Sequence, residues 1–232
     1  MQGQGKNQGF TLVEIAIVLV IIGLLLGGIL KGQEMITQAK IKNVIADFSG
    51  VSAAYHGYQD RYRAIPGDDP NAATRWAVAP AAIAGNGNGV VGGTYNNQCP
   101  QVVAAGTPES CLFWDDLRRA GFVSGTGGQQ PFNALTGLIG VQTGDGVAAG
   151  VGPTLLNAAG GNGFVGLLMC SAGLPDKIAI AVDTQMDDGA SNLGTVRALL
   201  QQAPNPNVGA GQVATAAFAE TGTNIYVVCR AL

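Results

Sequence analysis

Charge is scarce in this 232-residue chain: Asp, Glu, Lys and Arg together make up 12% of it, and the net charge is -3. That scarcity excludes a coiled coil laced with ion pairs and a polyampholytic disordered tail. It also removes the basic footprint on which nucleic-acid binding depends, so no nucleic-acid partner is expected. Histidine is nearly missing too. The single one, His56, lies between Tyr55 and Gly57, so no His-based triad, multi-His metal site or Cys-His dyad can be built downstream of it. His56 itself reads as a partly exposed helix residue. No cysteine pair has zinc-site spacing, and no Gly-rich stretch runs into the Lys-Ser/Thr of a phosphate-binding loop. The 36 glycines follow no three-residue period, which excludes collagen.

What the chain does have is one long apolar run. Residues 10–30 read FTLVEIAIVLVIIGLLLGGIL, with Glu14 as the sole charge. As an α-helix this run spans about 32 Å, enough for a bilayer core of about 30 Å. It predicts a transmembrane helix. A cleaved secretory signal peptide is the alternative, but the run is long, no A-x-A site closes it, and helical sequence continues through Lys31. Over 31–63, Ile41, Val44, Ile45, Phe48, Ser52, Tyr55, Tyr58 and Tyr62 recur at steps of three and four, which predicts an amphipathic arm continuous with the membrane helix. Pro66-Gly67 ends it.

Residues 64–232 read as a globular head. GNGNGVVGG at 85–93 and GDGVAAGVG at 144–152 are turns and long loops. Thr107-Pro108-Glu109 opens a helix whose Leu112, Phe113, Leu117 and Ala120 pack inward until Gly121, with Trp114 in the core. Strands are predicted over 164–170, 213–219 and 224–230. The segment 174–186 fits either element, and Pro175 with Asp176 in its first turn favours helix. The fold class is therefore α+β: a long N-terminal helix packed against a head with an antiparallel sheet and Gly-rich loops.

Two signals disagree on orientation. Lysine counting sets Lys6 against Lys31, Lys40 and Lys42 and, taken alone, places the N-terminus outside. The cysteines argue the opposite: Cys99, Cys111, Cys170 and Cys229 all follow the apolar run, and an even number in a Gly-rich head points to disulfides in an oxidising compartment. Four buried free thiols in a cytosolic protein are the alternative. Cys99 with Cys111 closes a short loop and Cys170 with Cys229 joins two predicted strands, one of three possible connectivities.

Candidate chemistry is thin, and no enzyme is expected. The carboxylate pairs Asp68/Asp69, Asp115/Asp116 and Asp187/Asp188 suit turns, helix caps or calcium ligation better than acid-base catalysis. Residues 183–192, DTQMDDGASN, offer the best metal site, with Asp183, Asp187 and Asp188 as hard oxygen donors around a glycine turn suited to Ca²⁺. The spacing is not that of an EF-hand, and a solvated turn whose aspartates cap backbone amides is the alternative. Glu14 differs in kind. A carboxylate inside an apolar membrane segment costs roughly 2.5 to 3.5 kcal/mol on insertion scales, so it calls for a partner, and no basic residue lies within the span.

A short polar leader ending in Gly9, then Phe10, a glutamate at the fifth position after Gly9 and the apolar run together resemble the type IV prepilin family, which includes type II secretion pseudopilins. The resemblance covers about the first 60 residues. More loosely, Tyr62-Arg-Ala-Ile-Pro-Gly-Asp68, the GNGNG loop, Trp114-Asp-Asp-Leu117 with Ala120-Gly121, and Met186-Asp-Asp-Gly189 are similar to a subgroup of prepilin-like proteins. The resemblance implies a leader, 1–9, removed after Gly9 by a membrane prepilin peptidase that also N-methylates Phe10. It further implies a bacterial inner-membrane protein with its N-terminus cytoplasmic and its head periplasmic, which resolves the conflict between lysines and cysteines. The implied role is a filament subunit, polymerised with its own or other pilin-like chains in a pilus or pseudopilus. Its implied partners are an inner-membrane platform protein and an assembly ATPase, and Glu14 is implied to pair with the Phe10 amine of its own chain or a neighbour.

Overall fold

A computed structural model describes residues 11–145, 163–209 and 212–232. In chain order the elements are α1 (Leu12–Tyr62), α2 (Ala72–Arg75), α3 (Glu109–Arg119), β1 (Ile139–Asp145), β2 (Val165–Pro175), α4 (Asp176–Met186), β3 (Val196–Leu200) and β4 (Ile225–Ala231). They fall into two compact units, Met1–Ala39 and Lys40–Leu232, whose boundary lies within α1.

In the first unit α1 carries a stretch long and apolar enough to cross a membrane. Every side chain from 11 to 31 is exposed. Apolar side chains exposed on every side of a helix suit lipid or neighbouring helices.

The second unit is built on a four-stranded antiparallel sheet in the order β1-β2-β4-β3. Alternation along each strand sends two sets of side chains to opposite faces. Ile139, Val141, Leu167, Met169, Val196, Ala198, Tyr226 and Val228 face one way and join a core with Ile41, Val44, Phe48, Val51, Tyr55 and Tyr58 of α1. Helices α3 and α4 complete that core through Phe113, Trp114, Leu117, Ile178 and Val182. Leu168, Cys170, Val227 and Cys229 face the other way, covered by Tyr95, Phe164, Val208 and Ala214 from loops. The α+β class, the antiparallel sheet and its contact with the Tyr-lined face of the arm are those expected from the sequence.

The elements differ from expectation in three places. The strand expected over 213–219 does not form. Its alternation is carried mainly by alanines, which have little surface to bury, and the segment instead lies beside β3 through the Thr215 amide, which donates to Ala198 O at 2.9 Å. Strands β1 and β3 were not expected. In β1, Gly140 reads as a turn residue, but it is required inside the strand because a Cβ there would collide with the Tyr95 carbonyl oxygen. The ambiguous 174–186 segment divides, with strand β2 running to Pro175 and α4 starting at Asp176. Where the arm ends, Gly67 adopts φ 84°, and a Cβ would collide with the Glu109 carbonyl oxygen, so only glycine fits. The Gly-rich stretch 144–152 falls largely outside the described residues.

Candidate functional site

Thr11 immediately precedes α1, and Glu14 lies in its first turn. The Thr11 amide and hydroxyl both donate to the Glu14 carboxylate, at 2.7 and 2.8 Å, and the Glu14 amide donates back to Thr11 Oγ1 at 3.3 Å. This reciprocal pair is a capping box, which satisfies amides that a helix start otherwise leaves without partners. The carboxylate also sits where the helix dipole favours an anion. Glu14 thus has a neutral partner in its own chain that the search for basic residues overlooks. The signal for it is the Thr-x-x-Glu spacing at 11–14. Gly9 and Phe10 lie outside the described residues.

Past the end of the arm, four aspartates expected as turn formers, helix caps or calcium ligands are buried: Asp68, Asp69, Asp115 and Asp116. Asp68 underpins the GNGNG loop, accepting the amides of Gly87 (2.6 Å), Asn88 (3.1 Å) and Gly89 (2.7 Å). Glu109 supports the same loop through the amides of Asn86 (3.1 Å) and Gly92 (2.8 Å). Asp69 accepts the Tyr58 hydroxyl at 2.7 Å, the Arg75 guanidinium at 2.5 Å and the Asn71 amide at 2.8 Å. Burial works to raise the Asp69 pKa, but these bonds and the Arg75 charge hold it below the usual carboxylate value. Tyr58 is pushed upward, by burial first and then by the charges of Asp116 and Asp69. Asp116 accepts the Gly67 amide at 2.7 Å. Burial outweighs that bond and, with the charges of Asp115 and Asp69, raises its pKa to about 8. Asp115 pairs with Arg119 at 2.6 Å. Together these groups lock the turn after α1, the 85–93 loop and α3 to one another.

The 183–192 run forms the corner between α4 and β3. Asp183, in the last turn of α4, is fully buried; its Oδ1 accepts the Gly189 amide at 3.2 Å, while its Oδ2 has no hydrogen-bond partner. Asp187 Oδ2 accepts the amides of Thr195 (2.5 Å) and Val196 (2.9 Å), and so caps the start of β3. Asp188 Oδ1 accepts the Ala190 amide at 2.8 Å. One carboxylate oxygen from each of the three lies within 4.8 Å of the others. Burial, reinforced by the Asp188 and Asp187 charges against the Gly189 bond, raises the Asp183 pKa to about 6. The capping expected of a plain turn is therefore present at Asp187 and Asp188, and one buried oxygen of Asp183 is left over.

The four cysteines form two disulfides, Cys99–Cys111 and Cys170–Cys229. The second joins directly opposed residues of β2 and β4. A cleft of about 290 Å³ opens against α3, with Val102, Val103, Asp115, Arg118 and Thr126 in its walls. His56 is exposed and Trp114 is buried.

Residues 4–30 match the family model described as the prokaryotic N-terminal methylation motif, the prepilin-type cleavage and methylation segment. No curated protein and no solved structure matches the chain.

Proposed function

We propose that this chain, a type IV pilin- or pseudopilin-type protein by its N-terminal methylation motif, is a structural subunit of a type IV pilus-like or type II secretion pseudopilus filament. The observation that carries this reading is the motif at 4–30, which takes in the start of a helix whose apolar side chains are exposed on every side. Prepilin peptidase removes residues 1–9 after Gly9 and methylates the new amine of Phe10. Such an amine has an unperturbed pKa of about 8 and stays protonatable after one methylation. The mature chain then spans the inner membrane once over 10–30, with its N-terminus cytoplasmic, an arm over 31–63 and a periplasmic head over 64–232.

Assembly moves the helix from lipid into a bundle of like helices, with the platform protein and the ATPase as machinery. Gly23, Gly27 and Gly28 have nothing within 4 Å of where a Cβ would stand, leaving room for a neighbouring helix to approach closely. Glu14, held by Thr11 in the single chain, neutralises the Phe10 amine of a neighbour in the bundle, where an unpaired charge is costly. The role is structural rather than catalytic. A second reading, a membrane-anchored binding module that does not polymerise, is favoured by the cleft against α3. Intact-mass analysis of protein from the native host tests the processing step. Loss of residues 1–9 plus one methyl group is expected, and an intact Met1 or a cut beyond Leu30 contradicts the assignment.

A further inference from the structure

We propose that the cleft formed by residues 96–99, 129–132 and 204–205 of the head binds a stretch of uncharged sugar residues in a glycan chain. The cleft measures about 460 Å³, within the range of roughly 300 to 1,000 Å³ found for small-ligand sites. No Asp, Glu, Lys or Arg lines it; its polar side chains are the amides of Asn96, Asn97, Gln98, Gln129, Gln130 and Asn205. Among them stands the ring of Phe132, which is 67% exposed. An amide carries two N–H donors beside an acceptor oxygen, and a sugar hydroxyl is donor and acceptor at once, so the two match in kind. The ring supplies the other half of the recognition. Its negative π-face attracts the weakly positive C–H groups on one face of a pyranose, and covering it removes apolar surface from water.

The walls of the cleft are held in place before any ligand arrives. Asn96 Nδ2 donates to Asn205 O at 3.0 Å and the Tyr95 hydroxyl donates to Pro206 O at 2.7 Å, which ties the two loops together. Gln130 Nε2 donates to Tyr95 O, and the Thr94 amide donates to Asn97 Oδ1 at 2.9 Å. Cys99, also in the wall, is fastened to α3 through Cys111. Walls fixed in this way lower the ordering cost of binding. Gln98 and Gln129 are exposed, and their amides bond to nothing else among the described residues. The lining also argues against other ligands. Anions and nucleic acids call for Lys or Arg beside the stacking ring, and none lines the cleft. Peptides take an apolar groove or a sheet edge, whereas this lining is mostly amide.

The test uses the full chain, fluorescently labelled, in micelles of a detergent without a sugar head group. It is laid on an array of neutral glycans, acidic glycans, single-stranded DNA and peptides. Neutral glycans should retain it, and the matching free trisaccharide should displace it at millimolar concentration. Phe132→Ala and Gln129→Ala, both at exposed positions that do not threaten folding, should melt as wild type does and each lower the affinity about tenfold or more. Leu193→Ala, at an exposed residue that does not line the cleft, should change nothing. Failure of every neutral glycan to retain the chain overturns the site, as does wild-type affinity in both cleft variants. Stronger retention by acidic glycans, DNA or peptides overturns the assignment to uncharged sugars. None of these outcomes depends on whether the chain polymerises.

Discussion

The Thr11 amide donates to the Glu14 carboxylate at 2.7 Å, and the Glu14 amide returns a bond to Thr11 Oγ1 at 3.3 Å. Glu14 therefore combines two properties that substitutions can separate, a cap on α1 and a negative charge. Glutamine serves in capping boxes as glutamate does, so Glu14→Gln keeps the cap and loses the charge.

Thr11→Ala does the reverse. It removes the hydroxyl that receives the Glu14 amide and should cost about 1 kcal/mol at the helix start. Hydrogen exchange in micelles should show faster exchange of the first-turn amides of α1, with filament yield near wild type. Loss of filaments from Thr11→Ala would give the hydroxyl a direct role in assembly.

Asp116 makes the head sensitive to pH. It is packed among Gly67, Tyr58, Asp69, Asp115 and Arg119, and its pKa of about 8 lies far above that of an unfolded aspartate. The native state therefore holds this proton more tightly than the unfolded state, and stability is lost as pH rises from about 4 to about 8, then levels off. Asp116→Asn keeps an acceptor for the Gly67 amide and removes the titration. The variant should gain on wild type between about pH 5 and pH 8, by an amount on the order of a few kcal/mol in urea unfolding of the full chain. A difference that does not change with pH contradicts this.

The two disulfides should contribute unequally. Cys170–Cys229 spans a sequence separation of 59 against 12 for Cys99–Cys111. Removing the longer link with a double Cys→Ala variant should destabilise the head by about 2–5 kcal/mol, and removing the shorter one by less. Peptide mapping without reduction checks the pairing, and free thiols or crossed partners contradict it.

The arm was legible in the sequence because a helix leaves a period: Ile41, Val44, Phe48, Tyr55 and Tyr58 share one face and all are buried. The start of α3 and the last strand were legible from their local signals, Pro108 and the apolar run in 225–231. What escaped depends on distant residues. Gly140 belongs to a strand because the Tyr95 carbonyl leaves no space for a Cβ, and no local pattern reports that approach. The aspartate doublets look like solvated turns, yet Asp116 is buried by a bond to Gly67, 49 residues away. In 213–219 the alternation was real, but only Ala214 is firmly buried there, too little to hold a strand. Thr11 was overlooked for a simpler reason: a charge in lipid directs attention to opposite charges, and its partner is neutral.

The central claim, that this chain is a filament subunit assembled through Glu14, is tested by expressing wild type, Glu14→Ala and Glu14→Gln in the native host and quantifying both processed protein and sheared filaments. All three should insert and be cut after Gly9. Filaments containing the chain should form from wild type and fall at least about tenfold in both variants, because an amine left unpaired in an apolar bundle costs several kcal/mol. The Glu14→Gln result excludes loss of the cap as the cause. Wild-type filament yield from both variants, or no filaments from the wild-type chain itself, would contradict the account and leave the membrane-anchored binding module in its place.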